Sequence, residues 1–489
     1  MRRQLNLLRV VSFVVIGVCL LAVPALAQRG EGKAMIDPSV LAELDAEGEA
    51  TFWVLFREQA DLSPAHAIRD WNERGTYVYE RLIATAESSQ ARVRALLVAW
   101  GAEMKPFWIM NVIEVKTHDG ALLVVLAAQP EVAEIVAPPE VEQIEMVPGI
   151  EWHHSESIEW NIEHIRAPLV WSTHGVRGEE VVIGSIDGGV QYDHPALAEH
   201  YRGNLGGGAF DHNYNWYDPD FVCGSPSIEP CDPDGHGTAT TGVAVGDDGG
   251  ANQIGVAPGA RFMMAATNFG VSSVLAAMQW MLAPTDLNGE SPRPDLRPHV
   301  VNNSWGFGGG TTIFQAAVQA WVAAGIFPVF AIGNEGPNCS TGRSPGVYLE
   351  AYAVGAHDIG DNIWVSSSRG PSLFGPVKPN MTAPGVDIRT SWFGSAYITG
   401  SATSVSTPHV TGVVALMLSL NPELIGKAAT IRRHLDHSAI DVSDLSCGGD
   451  PWNNNVWGEG RLDAFDAVSL LLIDGFESGD TSAWSATVP

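Results

Sequence analysis

From about Trp160 onward the chain alternates two kinds of segment. Short β-branched runs such as "EVVIGSID" and "IFPVFAIGN" stay apolar until a final Gly, Asp or Asn, and stretches such as "TTIFQAAVQAWVAAG" repeat their apolar residues at helical spacing. A strand that is apolar on both sides must be covered on both sides, which points to a parallel sheet flanked by helices. The pattern predicts an α/β fold and puts any functional site at the carboxyl ends of its strands. With 45% apolar residues and 16 Trp in 489 residues, there is material for a large core and for more than one domain.

The preceding region has a different texture. "TFWVLF" reads as a strand, and about Ser63 to Trp100 reads as a long amphipathic helical stretch interrupted at Gly75. "PFWIMNVIEVK" alternates enough for a strand, and "GALLVVLAAQPEVAEIVAP" for a helix and closing strand, so this is a small α+β unit. The acidic, Pro-containing "PPEVEQIEMVPGIEW" lacks periodicity and reads as a linker. At the start, the basic head "MRRQLNLLR", the apolar run Val10 to Pro24 and "ALA" before Gln28 make a secretory signal peptide over 1–27. No later run reaches about 18 apolar residues, so no membrane span is expected in the mature chain. The resulting division is 1–27, 28–145, 146–471 and a small polar tail over 472–489, with secretion to the extracellular space or periplasm as the expected fate.

The net charge of -29, from 56 acidic against 27 basic residues, argues against nucleic acid as a partner. It leaves carboxylates for structural calcium, although no D-x-D-x-D-G ligand loop is present and no metal ligands are assigned. Removal of the signal takes Cys19 with it and leaves Cys223, Cys231, Cys339 and Cys447. In an exported chain these suggest two disulfides, with three connectivities open. Cys223 with Cys231 would close a short Pro-rich loop and leave Cys339 for Cys447.

Four further stretches carry chemistry. "VVIGSIDGGV" delivers Asp187 at a strand end, and "DPDGHGTATTG" sets His236 between glycines at a helix start. "VFAIGNEGP" presents Asn334 at a Gly-rich turn, and "GSATSVSTPHVTG" places Ser404 just before an apolar helix. Each alone reads as an ordinary turn or cap. Together they supply an orienting carboxylate, a base, an oxyanion donor and a nucleophile, the set that acyl transfer needs.

The order Asp, His, Ser and these motifs resemble the subtilisin-like (subtilase, peptidase S8) serine endopeptidases over roughly Trp160 to Leu471, closest in texture to the bacillopeptidase F-like bacterial branch. The resemblance implies a subtilisin-like α/β fold, catalytic roles for Asp187, His236 and Ser404, and an oxyanion role for Asn334. It implies that Ser304-Trp305-Gly306 hold a polypeptide substrate as an added strand, and that Gly306 and Gly333 wall the pocket for the side chain before the cut. It further implies that the α+β unit is a ferredoxin-like inhibitor-type propeptide whose tail occupies the cleft, that the chain cuts itself between about Pro139 and Trp160, and that the chemistry requires no cofactor. Several positions depart from the family pattern: Gly188 beside the aspartate, Ala239 after the histidine, and Ala402, Val405 and Ser406 around the serine. These leave a peptide-binding pseudoprotease as the alternative, and a peptide ligase would use the same triad.

Overall fold

The computed structural model describes residues 33–149 and 158–470. The expected signal peptide and the C-terminal tail lie outside the described residues.

The N-terminal unit runs β1 (Met35–Ile36), α1 (Pro38–Glu47), β2 (Ala50–Phe56), α2 (Trp71–Trp100), β3 (Glu103–Phe107), β4 (Val112–Thr117), α3 (Gly120–Ala127) and β5 (Val132–Val136). Its sheet has the order β1-β5-β2-β4-β3. Apart from the β1 edge and α1, this is the β-α-β-β-α-β ferredoxin-like arrangement. Two sequence expectations change here. "PFWIMNVIEVK" is not one strand: a turn containing Asn111, at φ +49°, separates β3 from β4. Nor is the helix broken at Gly75. Asp70 caps α2 through the Glu73 N–H (2.8 Å), and the helix runs on to Gly101 in the left-handed region.

The expected linker is also structured up to its described end. Residues 142–143 and 147–148 form short strands, β6 (Glu142–Gln143) and β7 (Val147–Pro148). Backbone pairing with the larger domain, rather than apolar periodicity, holds them, so no side-chain pattern announces them.

The larger domain follows with α4 (Trp160–His164), α5 (Ala167–His174), β8 (Val182–Asp187), the hairpin β9 (Asn204–Gly206) and β10 (Ala209–Phe210), β11 (Trp216–Tyr217), α6 (His236–Val245), β12 (Arg261–Ala266) and α7 (Val271–Leu282). Next come β13 (Val300–Asn303), β14 (Trp305–Gly306), α8 (Gln315–Ala324), β15 (Phe327–Ala331), β16 (Tyr352–His357) and β17 (Met381–Pro384). The chain closes with β18 (Ile388–Ser391), β19 (Tyr397–Ser401), α9 (Thr403–Leu420), α10 (Ala428–Ser438) and α11 (Ala464–Ser469). Seven strands form one parallel sheet in the order β11-β12-β8-β13-β15-β16-β17.

From β8 the chain visits β11 and β12 on one side and then crosses to β13 on the other. That switch opens a crevice beyond the carboxyl end of β8. One face of the sheet buries α9, whose Val410, Val413 and Val414 share a core with Ile183, Val300 and Val329. Among the described residues α9 is the one helix long and apolar enough to cross a bilayer, and it is the buried central helix. The other face packs α7 and α8 in a core that also takes in Trp53, Val78 and Phe107 of the N-terminal unit.

Polar contacts reinforce this docking. Gln279 Oε1 accepts the N–H groups of Trp108 (2.6 Å) and Ile109 (3.2 Å). Arg74 donates to the carbonyls of Ala323, Val322 and Gly426, at the C-terminal end of α8 and beside it, where a cation suits the helix dipole. A Cβ at Gly75 would lie 2.0 Å from Arg297 Nη1, so this glycine is a contact point between the units. The disulfides are Cys223–Cys231 and Cys339–Cys447.

Candidate active site

Asp187 ends β8 and is fully buried. Its Oδ1 accepts the Gly188 N–H (2.8 Å) and faces His236 Nδ1 at 2.8 Å. Its Oδ2 accepts the Thr240 hydroxyl at 3.0 Å. The hydroxyl missing at Gly188 is thus supplied one turn into α6.

His236 is the first residue of α6, behind Gly235 at φ +82°. Asp232 holds that helix start: it accepts from the Gly235 N–H (3.0 Å), the Thr238 N–H (2.7 Å) and the Thr238 hydroxyl (2.6 Å). Burial, with repulsion from Asp234 and Asp187, raises the Asp232 carboxyl to about 6 despite those bonds. For His236, burial is the largest single effect and disfavours the imidazolium. The Asp187 charge and hydrogen bond, reinforced by Asp234 and Asp232, outweigh it and raise the imidazole to about 9.

Ser404 is the second residue of α9 and is fully buried. Its hydroxyl makes no hydrogen bond among the described residues, while its backbone carbonyl accepts from Ser304 Oγ (2.9 Å). Ala402 before it has φ -172°, extended backbone open to any residue, so its Cβ brings no strain. His409, the other imidazole of this stretch, donates from Nδ1 to the Val405 carbonyl and accepts the Asn161 amide at Nε2 (2.8 Å). Burial holds it neutral, lowered to about 4.

Asn334 follows β15 at the rim. Its Oδ1 accepts both the N–H (3.0 Å) and the hydroxyl (2.8 Å) of Thr403, which forces its Nδ2 toward the crevice. Gly333, at φ +114°, precedes it, and a Cβ there would lie 2.4 Å from Glu335 Oε2.

The crevice is filled by the chain's own residues 142–149. β6 pairs antiparallel with β14, Gln143 opposite Trp305 and Glu142 opposite Gly306, and the Ile144 N–H donates to the Ser304 carbonyl (3.1 Å). β7 pairs with β19 immediately before Ser404, Val147 opposite Ser401. Between them the Glu145 carbonyl accepts Asn334 Nδ2 at 2.8 Å, and the Ile144 carbonyl lies 3.1 Å from His236 Nε2. The structure thus brings Asp187 and His236 into direct contact. It sets Asn334, Ser304, Trp305 and Gly306 against one extended segment and engages His236 Nε2 with that segment's backbone.

Sequence reading missed two contributors. Asp232 and Thr240 stand in "CDPDGHGTATT", and an Asp three residues before the glycine of a helix start is a cap signal that could have found the first. The segment in the crevice was expected from the family resemblance alone, since residues 142–149 carry no periodicity that would place them there. One potential ligand atom from each of His164, His357 and Asp361 also lies within 4.8 Å of the others. Arg461 Nη1, 3.3 Å from Asp361 and 3.4 Å from His164, already supplies the cation there, and no metal is assigned.

Compared with known proteins, residues 178–463 match the Subtilase family. The chain belongs to the subtilase family of serine endopeptidases. It is similar to Bacillopeptidase F of Bacillus subtilis (strain 168), 40% identical over 332 residues, which is 65% of this chain and 22% of that protein. It is also similar to M-protease of Shouchella clausii (strain KSM-K16), 29% identical over 67% of this chain and 77% of that protein. Subtilisin Savinase of Lederbergia lenta is 30% identical over 63% of this chain and 98% of that protein. The alignment therefore spans about a fifth of Bacillopeptidase F but nearly all of the shorter subtilase.

Proposed function

We propose that this subtilase is a secreted endopeptidase made as a self-processing zymogen. Ser404 Oγ attacks a peptide carbonyl, and neutral His236 takes its proton and hands it to the leaving amine. Asp187 holds the imidazole's tautomer and stabilises its cation. The Asn334 amide and the Ser404 N–H receive the developing oxyanion. These steps use only protein groups. Calcium, if bound, has a structural role.

The observation that carries the reading is the segment across the site. A peptide strand paired on both sides presents one carbonyl to the Asn334 amide and the preceding carbonyl to His236. The N-terminal unit is accordingly the propeptide, and its tail is the first substrate and the resident inhibitor. In this precursor the imidazole donates to a backbone carbonyl and Ser404 Oγ has no hydrogen-bond partner among the described residues, so processing requires His236 Nε2 to exchange the Ile144 carbonyl for the serine.

The same two features favour a second reading, a peptide-binding pseudoprotease. Mass spectrometry of the expressed full chain separates them. The wild type should lose its N-terminal unit by cleavage near Glu145, and Ser404→Ala should retain it. Equal masses, with no labelling of Ser404 by a fluorophosphonate, would favour the pseudoprotease.

A further inference from the structure

We propose that Arg343 is a specificity-determining residue: it selects an acidic side chain at the substrate position that pairs with Gly306. The inference rests on the protease reading above and names part of its substrate class.

In the crevice the residue opposite Gly306 is Glu142, and its Oε2 lies 2.7 Å from Arg343 Nη1. The guanidinium is not a loose surface cation. Its Nε edge is held by Glu335 Oε1 at 2.7 Å, and Glu335 is fixed in turn through Oε2 by the Ser368 hydroxyl at 2.8 Å. The Arg343 N–H donates to the Ile332 carbonyl (2.9 Å).

Two glycines make room for the stem. A Cβ at Gly306 would stand 3.0 Å from Arg343 Cβ, and one at Gly333 would stand 3.1 Å from Arg343 Cγ. The Arg343 side chain is only 20% exposed, whereas that of Glu142 is 57% exposed. With the propeptide in place the cation is thus largely covered, and its Nη1 meets a carboxylate that reaches in from solvent.

Once the propeptide leaves, Nη1 loses this partner while Glu335 still holds the Nε edge. A substrate with Glu or Asp at the same place restores the pair and a charge-assisted hydrogen bond. Residues 146–489 still carry 36 acidic against 14 basic residues, so an acidic substrate is otherwise repelled at long range and a local cation is what admits one. Specificity at this place is a difference between partners: Gln offers the same shape with a weaker acceptor, and Lys brings like charge.

The test uses the processed protease and peptides copying Pro138 to Ile150, with the position of Glu142 occupied by Glu, Gln or Lys. The wild type should cleave the Glu peptide about two- to fivefold faster in kcat/KM than the Gln peptide, the upper part of the range for an exposed ion pair, with the Lys peptide slower still. In Arg343→Gln the Glu/Gln ratio should fall to near one, and in Arg343→Glu the Lys peptide should overtake the Glu peptide. Equal cleavage of all three peptides by the wild type overturns the proposal, as does an unchanged ratio in Arg343→Gln. Labelling by a fluorophosphonate shows that each variant is folded at the site. If Arg343→Gln does not label, Arg343→Lys takes its place, and it should keep the preference for acid. Failure of the wild type to cleave any peptide or to label refutes the protease reading instead.

Discussion

The state of His236 makes the rate of self-processing a steep function of pH. Nδ1 lies against the Asp187 carboxylate, and Nε2 faces the Ile144 carbonyl, which can only accept. Both nitrogens therefore carry protons in this arrangement, which is the imidazolium form. Burial opposes that charge, but Asp187 and the nearby Asp234 and Asp232 prevail and raise the group to about 9. A general base must be neutral. The neutral form grows as pH rises toward 9, so the rate must rise with it. At pH 7, about two units below, roughly one molecule in a hundred has a neutral imidazole; at pH 9 about half do. The first-order rate of self-cleavage should climb about 50-fold between pH 7 and pH 9 and level off above. The assay moves purified precursor from pH 6 to a series between 7 and 10, quenches at intervals and reads the intact mass. The rate should not depend on protein concentration, and Ser404→Ala controls for foreign proteases. Asp234→Asn removes one of the charges that favour the imidazolium and should move the inflection to lower pH. A rate that is flat or falling from pH 7 to 9 would refute the argument.

Other perturbations test other links. Asn334→Ala should leave a slow enzyme, down roughly 10²–10³ in turnover, the order known for the corresponding donor in subtilisin itself, whereas Ser404→Ala should abolish peptide cleavage. Thr240→Val removes the hydroxyl on Asp187 Oδ2 and should lower kcat/KM about tenfold, with Thr240→Ser restoring most of it. Gly75→Ala pushes a methyl group into the Arg297 guanidinium, so processed protein should appear at least about tenfold more slowly; an unchanged time course would show that this contact is dispensable. Of the two disulfides, Cys339–Cys447 spans 108 residues and Cys223–Cys231 spans 8. Loop entropy makes removal of the first costlier by about 2 kcal/mol, to be read as the difference between the denaturation midpoints of the paired Cys→Ser variants.

Much of this was legible in the chain because it is local. An apolar run that ends in Asp187 is a strand with a carboxylate at its tip whatever surrounds it, and the small residues around His236 and Ser404 mark helix starts. The parallel α/β class, the cysteine loops and the crevice at the strand ends follow from patterns within a few residues or from topology. Gly75 shows where local reading fails. In sequence it weakens a helix; in the fold the helix continues, because the missing side chain leaves room for an arginine more than 200 positions away. Ala402 shows the reverse: it departs from the family motif, yet its extended backbone accommodates the methyl group without strain.

What the tertiary structure alone decided is which partner each polar group meets. The amide of Asn334 faces the crevice because Thr403 takes its oxygen, Asp187 is held by a hydroxyl from the next helix, and His236 donates to the backbone of residue 144. The segment that occupies the crevice carries no apolar periodicity, since main-chain hydrogen bonds to β14 and β19 bind it and those are blind to side chains. Hydrophobic burial writes a period into the sequence. Hydrogen bonds and ion pairs between distant residues write none, because their geometry exists only after the sheet and its helices have closed.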